Sequence, residues 1–204
     1  VHDVQHDLAG RHRETAQVTA DAAALTTGST TRAAYAAALT RTDDWRGVQV
    51  DRVYSSFLRR APDDDGRTFW IGRIASGRRI FDLRATVLAS GEYFREQGGS
   101  GNAGYVDAVY RDVLGRAPDP GGRAYWIARL DGGEPRYRIG LTLYSLAEPL
   151  RAEVRYQFRA LIGRDPSATE SSTWTTRLRD RATGEQELHA FLAASAAYFG
   201  RTRP

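Results

Sequence analysis

Four groups of side chains in this chain have residue types and spacings that could do chemistry. The first is Asp63-Asp64-Asp65-Gly66, clustered carboxylates ahead of a Gly turn, which suit a hard oxygen-ligating cation such as calcium. The stretch lacks the twelve-residue spacing and closing Glu of a helix–loop–helix calcium loop. At the matching turn only Asp119 remains, because Pro120 and Gly121 follow it. Helix capping and pairing with Arg60 or Arg67 account for the same residues, so Asp63 and Asp65 are metal candidates only beside that structural role. The second group is His2 and His6, spaced i,i+4 with Asp3 and Asp7 nearby, which on a helix could hold zinc or nickel. Polar His residues at a frayed terminus more often hold nothing. The third is Arg60, Arg116 and Arg164, one in each of three similar stretches. A guanidinium fork there ties a helix end to carbonyls or to a carboxylate, with Asp51, Asp107, Glu92 and Glu148 as candidate partners. A phosphate- or carboxylate-binding role ranks below that tie. The fourth is aromatic. Trp45, Tyr93, Tyr105, Tyr137 and Tyr198 are the freer rings and the candidates for a sugar platform. Trp70, Trp126 and Trp174 follow apolar helix faces and read as core.

Nothing comparable supports catalysis. The chain has no Cys, so thiol chemistry and disulfides are excluded. It also lacks the Gly-x-Ser-x-Gly, His-Glu-x-x-His and phosphate-loop patterns. Glu92, ahead of an aromatic pair, is the one carboxylate considered as the acid of a helical glycan hydrolase, and capping or pairing explains it equally well.

These residues are positioned by elements written three times. The chain reads LRRAPDDDGRTFW from Leu58, LGRAPDPGGRAYW from Leu114 and IGRDPSATESSTW from Ile162. Val50, Val53, Tyr54, Phe57 and Leu58 form one apolar helix face, repeated by Val106, Val109, Tyr110, Val113 and Leu114, and mostly by Val154, Phe158, Leu161 and Ile162. Pro62, Pro118 and Pro166 end that helix, since a residue before Pro is driven from the α region. Asp63 and Asp119 then sit at the N-cap of a second helix carrying Trp70 or Trp126, with Gly66 and Gly122 in its first turn. A third helix uses Leu83, Val87 and Leu88, then Ile139, Leu143 and Tyr144, then Leu188 and Leu192. The spacing predicts an all-α fold: tandem short-helix repeat units packed as a helical bundle or array. The units are 47–97, 103–150 and a degenerate 151–200, preceded by a half-unit cap over 1–46. Within that cap Asp43 and Trp45-Arg46 align with Glu92 and Phe94-Arg95. Gly98 to Asn102 is the one linker-like stretch.

Composition narrows the function classes. All 29 basic residues are Arg, against 25 acidic ones, for a net charge of +4. Arg alternates with Asp and Glu and forms no basic stripe, so nucleic acid is not an expected partner. No apolar run reaches the ~20 residues of a membrane span. Val1 opens a polar segment without an initiating Met, which is consistent with a mature form whose secretory signal has been removed.

Val106-Asp107, Tyr110, Leu114 to Asp119, Gly122, Tyr125 and Trp126 together resemble the DUF4214 domain. Residues 48–95 are similar to it apart from Arg59 in place of Gly, and the third copy departs at Ser167 and Glu170. The pattern is also similar, more distantly, to the helical linker domain of phycobilisomes. The resemblance implies a helical module of bacterial secreted and surface proteins and carries no catalytic residues. The expected function is therefore a non-catalytic, secreted or cell-surface interaction scaffold with a protein or envelope-glycan partner. A carbohydrate-binding module is the alternative and a helical glycan hydrolase the third reading. No cofactor is expected, apart from calcium if the Asp63 turn takes an ion.

Overall fold

The computed structural model describes residues 2–10, 15–180 and 183–199, and the side chains of all of these except 2, 3 and 15. Among the described residues the chain is all-α, with fourteen helices and no strand. The N-terminal part contributes α1 (His2–Ala9), α2 (Thr15–Thr26) and α3 (Arg32–Leu39). The first copy is α4 (Asp43–Leu58), α5 (Asp64–Ala75), α6 (Ile80–Ala89) and the short α7 (Gly91–Glu96). The second is α8 (Asn102–Leu114), α9 (Pro120–Asp131), α10 (Tyr137–Ser145) and the start of α11 (Ala147–Ile162). The third takes the rest of α11, then α12 (Ala168–Asp180), α13 (Gly184–Ala194) and α14 (Ala196–Phe199).

Local chemistry sets these boundaries. The first helix of each copy ends in a left-handed residue, Arg59 (φ 60°), Gly115 (φ 69°) or Gly163 (φ 72°), which turns the chain toward the Pro three residues on. Asp63 and Asp119 then cap α5 and α9, accepting from the Gly66 and Gly122 backbone N–H at 2.7 and 2.9 Å. The third helix is separated from the next helix by a single extended residue, Ser90, Leu146 or Ser195. Ser90 caps through Tyr93 N–H and Ser195 through Tyr198 N–H. Leu146 offers no side-chain oxygen, and there the next helix runs on without a break as the sixteen residues of α11. The second and third copies therefore share one continuous rod.

The stretch read as linker-like, Gly98 to Asn102, is a tight turn. A Cβ on Gly98 would lie 2.8 Å from the Phe94 carbonyl oxygen and 2.9 Å from Tyr105 Cα, and one on Gly104 would meet the Gly98 carbonyl oxygen. Gly is required here for close backbone approach, which sequence composition alone cannot distinguish from flexibility.

The third helices pair two by two. The α6–α10 pair is the heart of the first and second copies, with Gly140 so close that a Cβ would lie 3.1 Å from Ala85 Cα. The α3–α13 pair joins the N-terminal part to the last copy. The core is one continuous cluster from Val4 and Leu8 in α1 to Tyr198 in α14. Tyr198 O–H donates to Asp7 at 2.6 Å, and Gln186 Nε2 donates to the Thr40 carbonyl at 2.7 Å. Helix α1 thus meets α14, as α3 meets α13, and among the described residues the first and last helices pack together.

Capping also corrects the alignment of the N-terminal part. Thr42 caps α4 through Trp45 N–H, as Ser90 caps α7 through Tyr93 N–H. Trp45 therefore occupies the Tyr93 position, one residue from the register read in the sequence, and both rings are buried.

Candidate ligand-binding cleft

The residues common to the copies are occupied within the chain. Arg60 makes a two-pronged bond to Glu92 (2.6 and 2.7 Å), and Arg116 does the same to Glu148 (3.1 and 3.1 Å). Each fork ties the end of a copy's first helix to the helix after its third. Asp51 and Asp107, the other partners considered, instead bind Arg67 and Arg123. The third copy rebuilds the clamp from different parts. Its position equivalent to Glu92 is Ala197, and Arg164 turns to Glu170, which has replaced the motif Gly, at 2.7 and 2.8 Å. That clamp, with bonds from Ser167, holds the Glu170 carboxyl down to about 2. Ser167 Oγ takes over the capping of the missing Asp by accepting from Glu170 N–H at 3.2 Å.

The metal candidates do not converge. Asp63 is used as a cap, while Asp64 and Asp65 lie exposed in the first turn of α5, where carboxylates suit the helix N-terminus. Among the described residues no three His, Cys, Asp or Glu side chains are grouped as a metal ion requires. His6 is exposed, and the side chains of His2 and Asp3 lie outside the described residues.

The aromatic candidates need correction. Trp45, Tyr93, Tyr105 and Tyr198 are buried and Tyr137 is half-buried, so none offers an open face. Three of them occupy the third position after a cap, which points into the core, and Tyr105 packs edge-on against Tyr93. Trp126 and Trp174 are buried as expected, and Trp70 is half-buried against the core. Among the described residues the exposed Phe and Tyr rings are Phe69, Tyr125, Tyr156 and Phe191. Phe69 and Tyr125 hold equivalent positions, each under an Arg one turn on, Arg73 or Arg129.

Glu92, the carboxylate considered as a hydrolytic acid, is engaged by Arg60. Its bond to Arg60 holds the carboxyl below the ordinary Glu range, whereas a general acid needs that value raised.

Where the copies differ, a cleft opens between them. A cavity of about 490 Å³ lies among α4, α6, α8, α10 and α11, within the ~300–1,000 Å³ span of small-ligand sites. Four guanidiniums reach it, from Arg52, Arg59, Arg84 and Arg111, together with Asp112 and Glu153. The equivalent residues elsewhere are mostly small or uncharged: Ala108 for Arg52, Gly115 and Gly163 for Arg59, Gly140 and His189 for Arg84, Ser55 for Arg111 and Ser56 for Asp112. In the third copy Tyr156 stands opposite Arg52, and only Arg159, opposite Arg111, keeps the charge.

Two layers form the cleft. At its base, Arg84 is buried and donates to Glu185 at 2.6 Å, with Glu153 3.7 Å away. Arg52 reaches the same Glu153 at 3.1 Å and covers the Tyr156 ring 4.4 Å from its centroid. Burial alone would raise Glu153, but Arg84 and Arg52 overcome it and bring the carboxyl to about 2. Burial raises Glu185, and one of its oxygens has no hydrogen-bond partner. Behind this layer Trp45 Nε1–H donates to His189 Nδ1 at 2.9 Å, so the imidazole carries its proton on Nε2 and is neutral. At the mouth, Asp112 is nearly covered and binds Arg111 at 2.9 Å, Arg59 at 3.6 Å and the Tyr93 hydroxyl at 2.8 Å. Arg59 and Arg111 are both more than half exposed.

Arg52, Arg59, Arg84, Arg111, Asp112 and Tyr156 were not singled out as candidate site residues from the sequence. Their signal was difference: each breaks the repeat somewhere, and Arg59 replaces a Gly at a helix end.

Among the described residues no helix is long and apolar enough to cross a membrane. Residues 85–151, from within α6 to the start of α11, match a family model described as a domain of unknown function, DUF4214. The match takes in the α6–α10 pair and the whole second copy and leaves out α12 to α14. No curated protein and no solved structure matches the chain.

Proposed function

We propose that this chain, which carries a DUF4214 domain over residues 85–151, is a non-catalytic helical binding module of the bacterial cell surface or its secreted fraction. One observation carries the reading: the repeated polar residues are consumed in intramolecular caps and clamps, while guanidiniums mostly absent from the other copies gather at an open cleft. The repeat builds a rigid frame and recognition falls to what varies on it. Placement at the surface follows from the settings in which modules of this resemblance are expected. The partner is a protein or an envelope glycan.

Glycan binding is the more specific form of this reading. Tyr156, at the cleft rim, is an exposed ring beside polar side chains, which the five rings singled out in the sequence are not. Co-sedimentation with isolated bacterial envelopes tests the proposal. The purified chain is expected to pellet with envelopes and to release no soluble sugar or peptide fragments. Failure to pellet would remove the binding reading, and release of reducing ends would remove the non-catalytic one.

A further inference from the structure

We infer that the cleft between α4, α8 and α11 is a binding site for the carboxylate of an acidic sugar, a uronic acid within a glycan. The inference rests on the glycan reading above and specifies its chemistry.

Charge pairing comes first. The base is matched, because Arg52 is held by Glu153 and Arg84 by Glu185. The mouth is unmatched, since Arg59 and Arg111 share the single carboxylate of Asp112. That leaves one guanidinium charge in excess where both side chains are exposed, suited to one singly charged carboxylate in the paired geometry Arg favours. Asp112 is fixed from behind by the Tyr93 hydroxyl, so it positions the two Arg side chains and is not itself free to swing.

The backbone supplies a second, independent observation. Arg59 sits at φ 60°, where the other two copies have Gly. A left-handed conformation is unfavourable for a side chain that Gly would relieve, and such strain is commonly retained at binding sites. Its guanidinium lies beside the Ser56 carbonyl and lines the cleft mouth.

The walls favour a sugar over a peptide. Val53, Phe57 and Leu150 are buried in the apolar back of the cleft, and Tyr156, exposed at the rim, is the ring against which a sugar's C–H face can rest. About 490 Å³ accommodates one or two sugar rings and little of an extended chain.

Titration calorimetry on the full chain at low salt tests this with four probes: glucuronic acid, glucose, inorganic phosphate and a short peptide with a free C-terminal carboxylate. Glucuronic acid is expected to bind, at least tenfold more tightly than glucose or phosphate, and more weakly as salt rises. Arg59→Gly should weaken it at least tenfold while the melting temperature holds or rises, because the strained position is relieved. Arg111→Gln should weaken it similarly with the melt unchanged. Equal binding of glucose would overturn the carboxylate while leaving a glycan module. Tighter binding of phosphate or of the peptide would overturn the sugar assignment. No binding of either sugar would overturn both readings, and full binding by Arg59→Gly would overturn the site.

Discussion

The buried imidazole behind the cleft should make the protein lose stability on mild acidification. His189 is buried against Trp45, with Arg52 and Arg84 on one side and Glu153 near. Burial, then the two guanidiniums, outweigh the opposing pull of Glu153 and bring its value down to about 4. In the unfolded chain an imidazole titrates near 6.5. Between those values the unfolded state holds more protons, so stability is complete above about pH 6.5 and falls as pH drops toward 4. The loss is on the order of 2–3 kcal/mol by pH 4.5, from ~1.36 kcal/mol per pH unit between the two values. Glu185 acts in the opposite direction, since its raised carboxyl gains a proton in the folded state as pH falls. Comparison with His189→Asn cancels that contribution, because Asn keeps an acceptor where Trp45 Nε1–H needs one and does not titrate. Urea unfolding followed by circular dichroism at pH 7.5 and 4.5 is the assay. The wild-type midpoint should fall by roughly 1 M more than the variant's, using a slope of about 2 kcal/mol per M. Equal pH dependence in the two proteins would refute the neutral buried imidazole and with it the arrangement of the cleft's base.

Three further outcomes are expected of the frame. Trp126→Ala truncates a buried ring and should cost about 3–5 kcal/mol, lowering the melting temperature by roughly 6–20 °C. Asp119→Ala should lower it by distinctly less, and a smaller effect from the Trp change would mean the ring serves a surface instead of the core. Arg60→Ala and Glu92→Ala, singly and together, should give a coupling energy of about 0.2–1 kcal/mol, because the pair is partly exposed. Gly140→Val should destabilise by about 1–3 kcal/mol through the Ala85 backbone contact, measured by the same urea titrations; no effect would mean α6 and α10 are not in close contact.

Much of the frame was legible because short-range rules set it. Apolar spacing marked the first helices, Pro62 and Pro118 marked their ends, and Asp63 and Asp119 marked the next starts, all where the structure has them. The N-terminal register slipped by one because pattern matching followed aromatic identity, whereas the position is set by the cap, Thr42 or Ser90. The pairing of α3 with α13 was out of reach, since nothing local tells one small-residue face which other face it will meet. The cleft was hidden for a related reason. A repeat is found by what recurs, and Arg52, Arg59, Arg84 and Asp112 are distinguished by standing where other copies carry different residues.

The third copy shows how tightly the recurring residues depend on one another. In the first two copies a Tyr hydroxyl lies over the motif Gly, so that a Cβ there would be 3.3 Å from Tyr54 Oη or 3.0 Å from Tyr110 Oη. In the third, Phe158 removes that hydroxyl, Ser167 shortens the capping side chain, and Glu170 fills the space. Glu170 then supplies the carboxylate that Ala197 no longer provides, and Arg164 still lies over the ring beneath it, 5.2 Å from the Phe158 centroid. Four positions have changed together and the clamp survives with its polarity intact. What is retained is the requirement to neutralise one Arg at the end of the first helix, and the identity of the partner is free to vary. The same reasoning separates the two kinds of Arg in this chain. Arg60, Arg116 and Arg164 each have a dedicated carboxylate even where the sequence has drifted, whereas Arg59 and Arg111 share one. The shared Asp112 at the cleft mouth is where the proposed external anion would complete the count.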